Sequence, residues 1–568
     1  MLVSLQVVAT ATLVASSGLP FVAPRFPMLG GMNRAAQIFA DNSTDYNPEY
    51  IQIPVDHFNS SDDRTYGNRY WVNSQYYKPG GPVFILDAGE QNAQPLAPRY
   101  LFETAGPSSV MSMARRFNGL GLLWEHRYYG GVPNGADQNG SYPSPVNAKG
   151  FAAEYTYLTT EQALEDVVYL ANNFKPEGLE DCFDQLGPDQ TPWIFIGGSY
   201  PGIRAAHMRV RNPETIFASW ASSAPVQATV DYWTYYAQAE RSMTRNCSAD
   251  YTAVTRYVDN ILANGTSGEV SDVKFALLTA ISSGPGWNNV HTVHRNESDQ
   301  LQNSDVADLL LMPFSFYQSY GFEGSVLPFC NIMETFNQTM ASTTDNNGVA
   351  PAIATESGIA ATHNITAAWQ AFLVAATELG YLNLPPGASS GPSSQWSWNW
   401  QFCSEYGYYQ VGNPSNPHTI QSQFTSLDYF QSNCNDTFAN YTNLPSTPQV
   451  DRVNKYGGWN INPSNVMFTN GQYDPWRALS PGSTEVGSPN RQATQYVPKC
   501  NVAPDNGTYF GQVYINAVHA TDMRARLQET VGDFSKVGFH APVNSESFFA
   551  GVGLFGEALN EWLPCFGK

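Results

Sequence analysis

Basic residues are scarce in this chain. Its 568 residues include 28 Lys and Arg against 49 Asp and Glu, a formal net charge of −21. So few bases cannot neutralise a phosphate backbone or an anionic lipid surface, which excludes nucleic acid and electrostatic membrane binding. Past the N-terminus there is no run of eighteen apolar residues, so no membrane span is expected. None of the seven cysteines falls in a Cys-x-x-Cys pair or shows zinc-ligand spacing. There is no Gly-rich phosphate loop and no internal repeat. No metal and no cofactor is therefore expected.

Charged residues make up only 14% of the chain and hydrophobic residues 42%, the balance of a globular protein. The length suits two or three domain-sized units. Residues 1–18 read as a signal peptide. Leu5 to Val14 is apolar or small and Ala15-Ser16-Ser17 offers a cleavage site, although no basic residue precedes Arg25. Residues 25–50 read as a pro-segment or irregular arm. Eleven Asn-x-Ser/Thr sequons fit glycosylation of an exported chain: Asn42, Asn59, Asn139, Asn246, Asn264, Asn296, Asn337, Asn364, Asn435, Asn440 and Asn506. Seven cysteines allow three disulfides and one left over. Cys403 with Cys434 and Cys247 with Cys330 are the pairs to expect, with the connectivity open. The acidic balance serves solubility, or suits surroundings acidic enough to titrate carboxylates. The expected location is secreted, or an acidic vacuolar or lysosomal compartment.

Short apolar runs alternate with helical periodicity. Strands are expected at Arg69 to Tyr77, Pro82 to Leu86, Leu120 to Trp124, Trp193 to Ile196 and Ala218 to Ala224. A helix is expected from Thr159 to Phe174, with Thr160 a candidate N-cap. This alternation predicts a mainly parallel sheet with helices on both faces. From about 230 to 430 strand signals thin out and helices dominate (Tyr251 to Leu262, Val273 to Ala280, Ala367 to Leu379). The α/β pattern returns at Asn465 to Thr469 and Gly511 to Ile515. The expected organisation is a core of 45–230 and 430–568, with 231–429 inserted as a helical cap.

The stretch Trp193-Ile-Phe-Ile-Gly-Gly-Ser199-Tyr-Pro-Gly-Ile-Arg-Ala-Ala206 reads as strand, sharp turn, serine, helix. That context holds a serine up at the end of a strand and sets it at a helix start, where free N–H groups can meet an oxyanion. The pattern Gly-x-Ser-x-Gly is broken by Pro201, with Gly202 one later, and an ordinary glycine-rich turn has the same residues. A nucleophilic serine needs a base, and the base an orienting acid. His519 follows a late strand and Asp474 follows the strand before it. The order Ser199, Asp474, His519 suits an α/β-hydrolase. Taken singly, His519 could be structural and Asp474 a turn former before Pro475. Asp522, on the same loop as His519, is the weaker candidate for the acid.

The chain resembles the serine peptidases of prolyl carboxypeptidase and dipeptidyl peptidase II, with the related fungal acid prolyl endopeptidases. The resemblance runs from about 50 to 565. It rests on Val55-Asp-His-Phe58, Asn68-Arg-Tyr70, Gly80-Gly-Pro82 with Gly89-Glu90, and Glu125-His-Arg-Tyr-Tyr-Gly130. It continues through Leu158-Thr159, Gln162-Ala-Leu164, Gly197-Gly-Ser-Tyr200, Trp400-Gln401 with Cys403 and Glu405, Asn470-Gly471 with Asp474-Pro-Trp476, and His519 with Asp522. It implies an α/β-hydrolase core with a helical cap and hydrolysis of proline-containing peptides at acidic pH. Ser199, Asp474 and His519 would be the triad. The Tyr200 N–H, with one from near Gly89, would form the oxyanion hole. Glu90 would sit at the substrate-binding end, where relatives use an acid near the peptide terminus. A proline ring needs a shallow apolar pocket, for which Trp476 and the cap aromatics Trp396, Trp398, Trp400 and Phe402 are candidates, although cap aromatics also serve as core packing. The polar bulk of Ile203-Arg-Ala-Ala-His207 is unexpected for a helix packed on a sheet.

The leading reading is a secreted serine exopeptidase of carboxypeptidase or dipeptidyl-peptidase type. An endopeptidase of the same kind, an esterase, or a non-catalytic binding protein on the same fold are the alternatives. A homodimer is left open.

Overall fold

The computed structural model describes residues 46–130, 155–283, 292–335, 356–380, 391–439, 443–505, 507–525 and 545–568. The expected signal peptide and sequons Asn42, Asn139, Asn337, Asn440 and Asn506 lie outside them.

The core is one nine-stranded sheet. In chain order its strands are β1 (Glu49–Pro54), β2 (Thr65–Asn73), β3 (Val83–Asp87), β4 (Leu120–Trp124), β5 (Trp193–Gly198) and β6 (Ala218–Ser222). A two-stranded sheet, β7 (Thr229–Asp231) with β8 (Gly407–Tyr409), stands apart. The main sheet is completed by β9 (Val466–Gly471), β10 (Gln492–Thr494) and β11 (Thr508–Tyr514). The spatial order is β1-β2-β4-β3-β5-β6-β9-β11-β10. Only β2 runs against its neighbours. Strand order with a single reversed strand near one edge identifies the α/β-hydrolase fold. The sequence strands are recovered, with small shifts at their ends. Gly197 and Gly198 extend β5 rather than break it, pairing with Ala221 and Ser222. The arm expected over 25–50 ends in the first residues of β1.

Alternation along the strands sorts side chains to two faces. Val83 and Ile85 of β3, with Trp193 and Phe195 of β5, pack on one face. There they meet Leu164, Val167 and Leu170 from the helix Thr160–Asn173, and Ala205 and Met208 from the helix Tyr200–Arg211. Phe84, Leu86, Ile194 and Ile196 face the other way, onto Val110 and Met111 of Ser109–Phe117 and Leu554 and Phe555 of Ser545–Trp562. Both faces of a parallel sheet must be covered, and these helices cover them. Thr159, not Thr160, caps Thr160–Asn173, accepting from the Gln162 N–H. The Thr160 N–H and hydroxyl instead donate to Glu405 (2.8 and 2.7 Å), a carboxylate from the insertion.

Between β7 and β9 the described chain is mainly helical, including Arg245–Asn264, Ser267–Ser282, Ile365–Leu379 and Leu427–Thr437. The last crosses residue 429. These helices share a cluster with Tyr200, Ile203 and Trp476 of the core, so insertion and core are packed together. Disulfides join Cys247 to Cys330, Cys403 to Cys434 and Cys500 to Cys565, leaving Cys182 unpaired. No helix among the described residues is long and apolar enough to cross a membrane.

One buried pair in the insertion is set to sense pH. Asp250 accepts from the Ile359 and Ala360 N–H groups (2.5 and 2.7 Å). The carboxyl of Glu334 lies against it, with neither oxygen bonded elsewhere among the described residues. Burial and the neighbouring Asp250 push Glu334 above its ordinary value, and burial raises Asp250 against its backbone bonds and His363. A folded-state pKa raised above the unfolded value contributes stability that is present at acid pH and is lost as pH rises through the folded value. Glu334→Gln should therefore melt with the wild type at pH 4.5. By pH 8 its melting temperature should stand above the wild type's by roughly 3–5 °C in paired thermal scans.

Candidate active site

The sheet delivers its chemistry at the carboxyl ends of the strands. Ser199 follows β5, Gly89 and Glu90 follow β3, Asp474 follows β9 and His519 follows β11. Ser199 has φ 69° and ψ −129°, a conformation L-residues rarely adopt. It is held by its N–H to the Ser222 carbonyl (2.9 Å) and by the close fit of the turn around it. A Cβ on Gly197 would lie 2.3 Å from the Pro201 carbonyl oxygen, and one on Gly202 would lie 2.6 Å from the Ser222 oxygen. Gly202 thus fills the position that Pro201 vacates in the Gly-x-Ser-x-Gly pattern. Pro201 in turn needs Gly89, whose Cβ would fall 2.3 Å from its Cγ.

His519 Nδ1 lies 2.8 Å from Asp474 Oδ1. The same oxygen accepts the Trp476 N–H at 2.9 Å. His519 Nε2 has no partner among the described residues. Ser199, Asp474 and His519 are all buried. Asp522 has a different task. Its carboxylate accepts from Ser222 Oγ and Thr469 Oγ1 (2.5 Å each) and from the Tyr514 hydroxyl (3.0 Å), so it ties the His519 loop to β6, β9 and β11.

Glu90 is buried with Oε2 unpartnered among the described residues. Burial pushes its carboxyl up to about 7, against its own backbone N–H and the nearby His519. The Gly89 N–H is already taken by Asp87 Oδ1 (2.7 Å), and the Ala88 N–H by the Trp124 carbonyl (2.9 Å). Gly89 is therefore corrected as the expected second oxyanion donor: its N–H points back into the turn. The Tyr200 N–H stands in the first turn of its helix, where it has no intrahelical acceptor.

The motif Glu125 to Gly130 supports these segments from behind. Glu125 takes Arg69 with both oxygens (2.8 Å each) and accepts the Ala93 N–H (3.0 Å), fixing the loop that carries Glu90. His126 accepts at Nε2 from the Tyr200 hydroxyl (2.8 Å) while Nδ1–H donates to the Arg127 carbonyl (2.7 Å). Burial, with Arg204 nearby, holds its pKa well below the ordinary value, so the ring is neutral. The Tyr200 oxygen also accepts Gln401 Nε2 (2.9 Å), and Gln401 accepts from the Tyr129 hydroxyl. Arg127 grips Asp166 (2.6 Å). Burial alone would raise Asp166, but Arg127 and His57 hold it down at about 2.

The polar bulk after Pro201 is explained by its surroundings. The helix is buried on all sides over residues 200–209. Arg204 pairs with Asp87 (3.1 Å) and donates to the Ala163 carbonyl (2.8 Å). His207 stacks near Tyr456 at 4.3 Å, and burial lowers its pKa to about 3.

Of the candidate pocket aromatics, Trp476 lies 6.4 Å from the His519 ring. Trp400 is packed between Tyr155 and Phe438 (5.5 and 5.3 Å). The insertion's tryptophan beside Tyr200 is Trp398, at 5.6 Å. The sequence offered Trp398 only as one of several cap aromatics and Gln401 only within a motif, since neither spacing nor composition says which residues of an aromatic-rich helix pack beside Tyr200.

Comparison with known proteins places the chain in a family. The family model described as serine carboxypeptidase S28 matches residues 53–491. A relative in Arthroderma benhamiae, named "Probable extracellular serine carboxypeptidase", is 28% identical over 468 residues. That alignment covers 75% of this chain and 58% of the relative, so the chain spans less than two thirds of that protein. A serine protease of Bipolaris victoriae is 26% identical over 479 residues, 79% of this chain and 81% of its own. The thymus-specific serine protease of Homo sapiens is 28% identical over 447 residues, 76% of each chain. With a family match that begins in β1 and runs past Asp474 to the edge of β10, this chain belongs to the serine carboxypeptidase S28 family of peptidases.

Proposed function

We propose that the protein is a secreted serine peptidase that hydrolyses peptide bonds next to proline, acting at acidic pH on the carboxyl end of its substrates. The observation that carries this reading is the 2.8 Å bond between Asp474 and His519, on loops beside the strained Ser199 turn. In the proposed reaction Ser199 Oγ attacks the carbonyl and His519 Nε2 takes the proton. Asp474 holds Nδ1–H and stabilises the imidazolium. The Tyr200 N–H, at the start of its helix, would receive the oxyanion. His519 then returns the proton to the leaving amine, and water repeats the cycle on the acyl-enzyme. The flat faces of Trp398 and Trp476 suit a proline ring.

Exopeptidase action draws support from Glu90. Below its raised pKa of about 7 the carboxyl is neutral and carries a proton it can donate to a C-terminal carboxylate. Export draws support from the name of the Arthroderma relative, from the three disulfides and from exposed sequons. Asn59, Asn264, Asn296, Asn364 and Asn435 are exposed, and Asn246 is half-buried. Asn364 caps its helix through Oδ1, accepting from the Ala367 N–H (2.8 Å), which leaves Nδ2 for a glycan.

Proline-containing peptides blocked at one end or the other, incubated at about pH 4–5 and read by mass, test the reading. Release of the residue after proline, stopped by a C-terminal block, is expected. Cleavage that tolerates that block but not an N-terminal one would overturn the carboxyl-end assignment, and hydrolysis of simple esters alone would overturn the peptidase. Ser199→Ala should lower kcat by about 10³-fold or more. As pH rises through 7, Glu90 should ionise and repel a free C-terminus, so the wild-type KM should climb. Glu90→Gln keeps a donor and should hold KM flat across the same range.

A further inference from the structure

The triad acid and base are not held by the sheet alone. One short turn of the helical insertion, Tyr317–Gly321, touches both of their loops. On the base side, the His519 N–H donates to the Gln318 carbonyl (3.3 Å). Gly321 sits at φ 72°, where a Cβ would fall 3.2 Å from Val518, the residue before the base. On the acid side, Gln318 Oε1 accepts from Trp476 Nε1 (2.7 Å), and the Trp476 N–H is the group that shares Asp474 Oδ1 with His519. The Tyr317 hydroxyl donates to the Tyr473 carbonyl, one residue before the acid (3.0 Å). Gln318 Oε1 also accepts from the Tyr235 hydroxyl (3.0 Å).

Other insertion residues act on the same loop. Gln238 Nε2 donates to the Gln472 carbonyl and the Tyr232 hydroxyl to the Pro475 carbonyl (2.7 Å each). Three carbonyls of 472–475 thus accept from side chains of the insertion. Loop carbonyls at a strand end have no ladder partner and must find donors elsewhere. Here the donors come from a segment that lies over 150 residues earlier in the chain.

We propose that Gln318 is a positioning residue for the triad, clamping the His519 backbone with its carbonyl and the Trp476 indole with its amide oxygen. The insertion would then be part of the catalytic frame as well as a cover. This rests on the assignment of Ser199, Asp474 and His519 as the triad. Without the clamp the two loops move independently, and a misplacement of about 1 Å between reacting groups costs on the order of 10²-fold in rate. Trp476, whose indole the clamp holds, is also a proposed wall of the proline pocket, so KM for proline peptides rises alongside the loss in rate.

The test is the rate at which a fluorophosphonate labels Ser199, since it needs an activated serine but no peptide substrate. Steady-state kcat and KM are read in parallel. Wild type, Ser199→Ala, Gln318→Ala, Gln318→Glu, Tyr317→Phe and Tyr251→Phe are compared. Tyr251→Phe removes one buried hydroxyl bond, to the Leu310 carbonyl, elsewhere in the insertion, and so reports the cost of an ordinary packing defect. Gln318→Ala should slow fluorophosphonate labelling, which needs no proline pocket, and kcat by about 10- to 100-fold. Gln318→Glu, which keeps an acceptor at the same reach, should recover most of that loss. Tyr317→Phe should show a smaller fall in kcat and serves in place of Gln318→Ala if that variant does not fold. Tyr251→Phe should lower thermal stability while labelling at the wild-type rate. If Gln318→Ala and Tyr317→Phe label like Tyr251→Phe, the inference fails. If Ser199→Ala still labels or still hydrolyses, the triad reading fails instead, and the two failures are told apart within one series.

Discussion

Everything at the site depends on one strained residue. Ser199 is held at φ 69°, and no local preference of serine would put it there. The strain is sustained because β5 and β6 pin the turn on one side and the following helix fills the other. Glycine at 197 and 202 lets the backbone of the turn pass within contact of Pro201 and Ser222. Gly89 and Pro201 are fitted to each other in the same way, which fixes the spacing between the nucleophile turn and the loop that carries Glu90. Proline two residues after Ser199 is therefore built in. Its ring replaces a hydrogen-bonded residue in a first helical turn, where the missing N–H costs nothing.

Around this turn, charged groups are buried in pairs and used as anchors. Arg69 with Glu125, Arg127 with Asp166 and Arg204 with Asp87 each join two segments far apart in the chain. Removing one partner of such a pair leaves a charge unpaired in a dry interior, so each pair specifies one arrangement of its segments. His126 belongs to the same frame. Neutral and locked in one tautomer by the Arg127 carbonyl, it can only accept from Tyr200, and Tyr200 in turn accepts from Gln401 of the insertion. The Ser199 turn, the loop after β4 and the insertion are thereby connected by hydrogen bonds whose direction is determined at every step.

Much of this was legible in the residues. The alternation of apolar runs located the strands of the sheet to within a few residues, because a parallel strand buried on both faces must be apolar throughout. The strand-Gly-Gly-Ser-helix pattern and the positions of Asp474 and His519 just past two strands marked the triad candidates, since only loops at the carboxyl ends can converge. Two of the three disulfides, Cys247 with Cys330 and Cys403 with Cys434, were among the pairs to expect, with the connectivity open. Other features were not legible. Thr160 looked like a helix cap until Glu405, 245 residues away, took its N–H. Gly89 looked like an oxyanion donor, but the Asp87 side chain two residues back had claimed its hydrogen.

The sequence by itself determined the class of fold, the order of the candidate triad and the family, because periodicity, glycine placement and short motifs are local and survive without coordinates. The tertiary structure decided which tryptophan lies beside Tyr200, which carboxylate is buried and raised, which backbone N–H groups stay free, and that the insertion holds the loops of Asp474 and His519. Those outcomes depend on partners hundreds of residues apart and on desolvation, neither of which has a signature in a linear pattern.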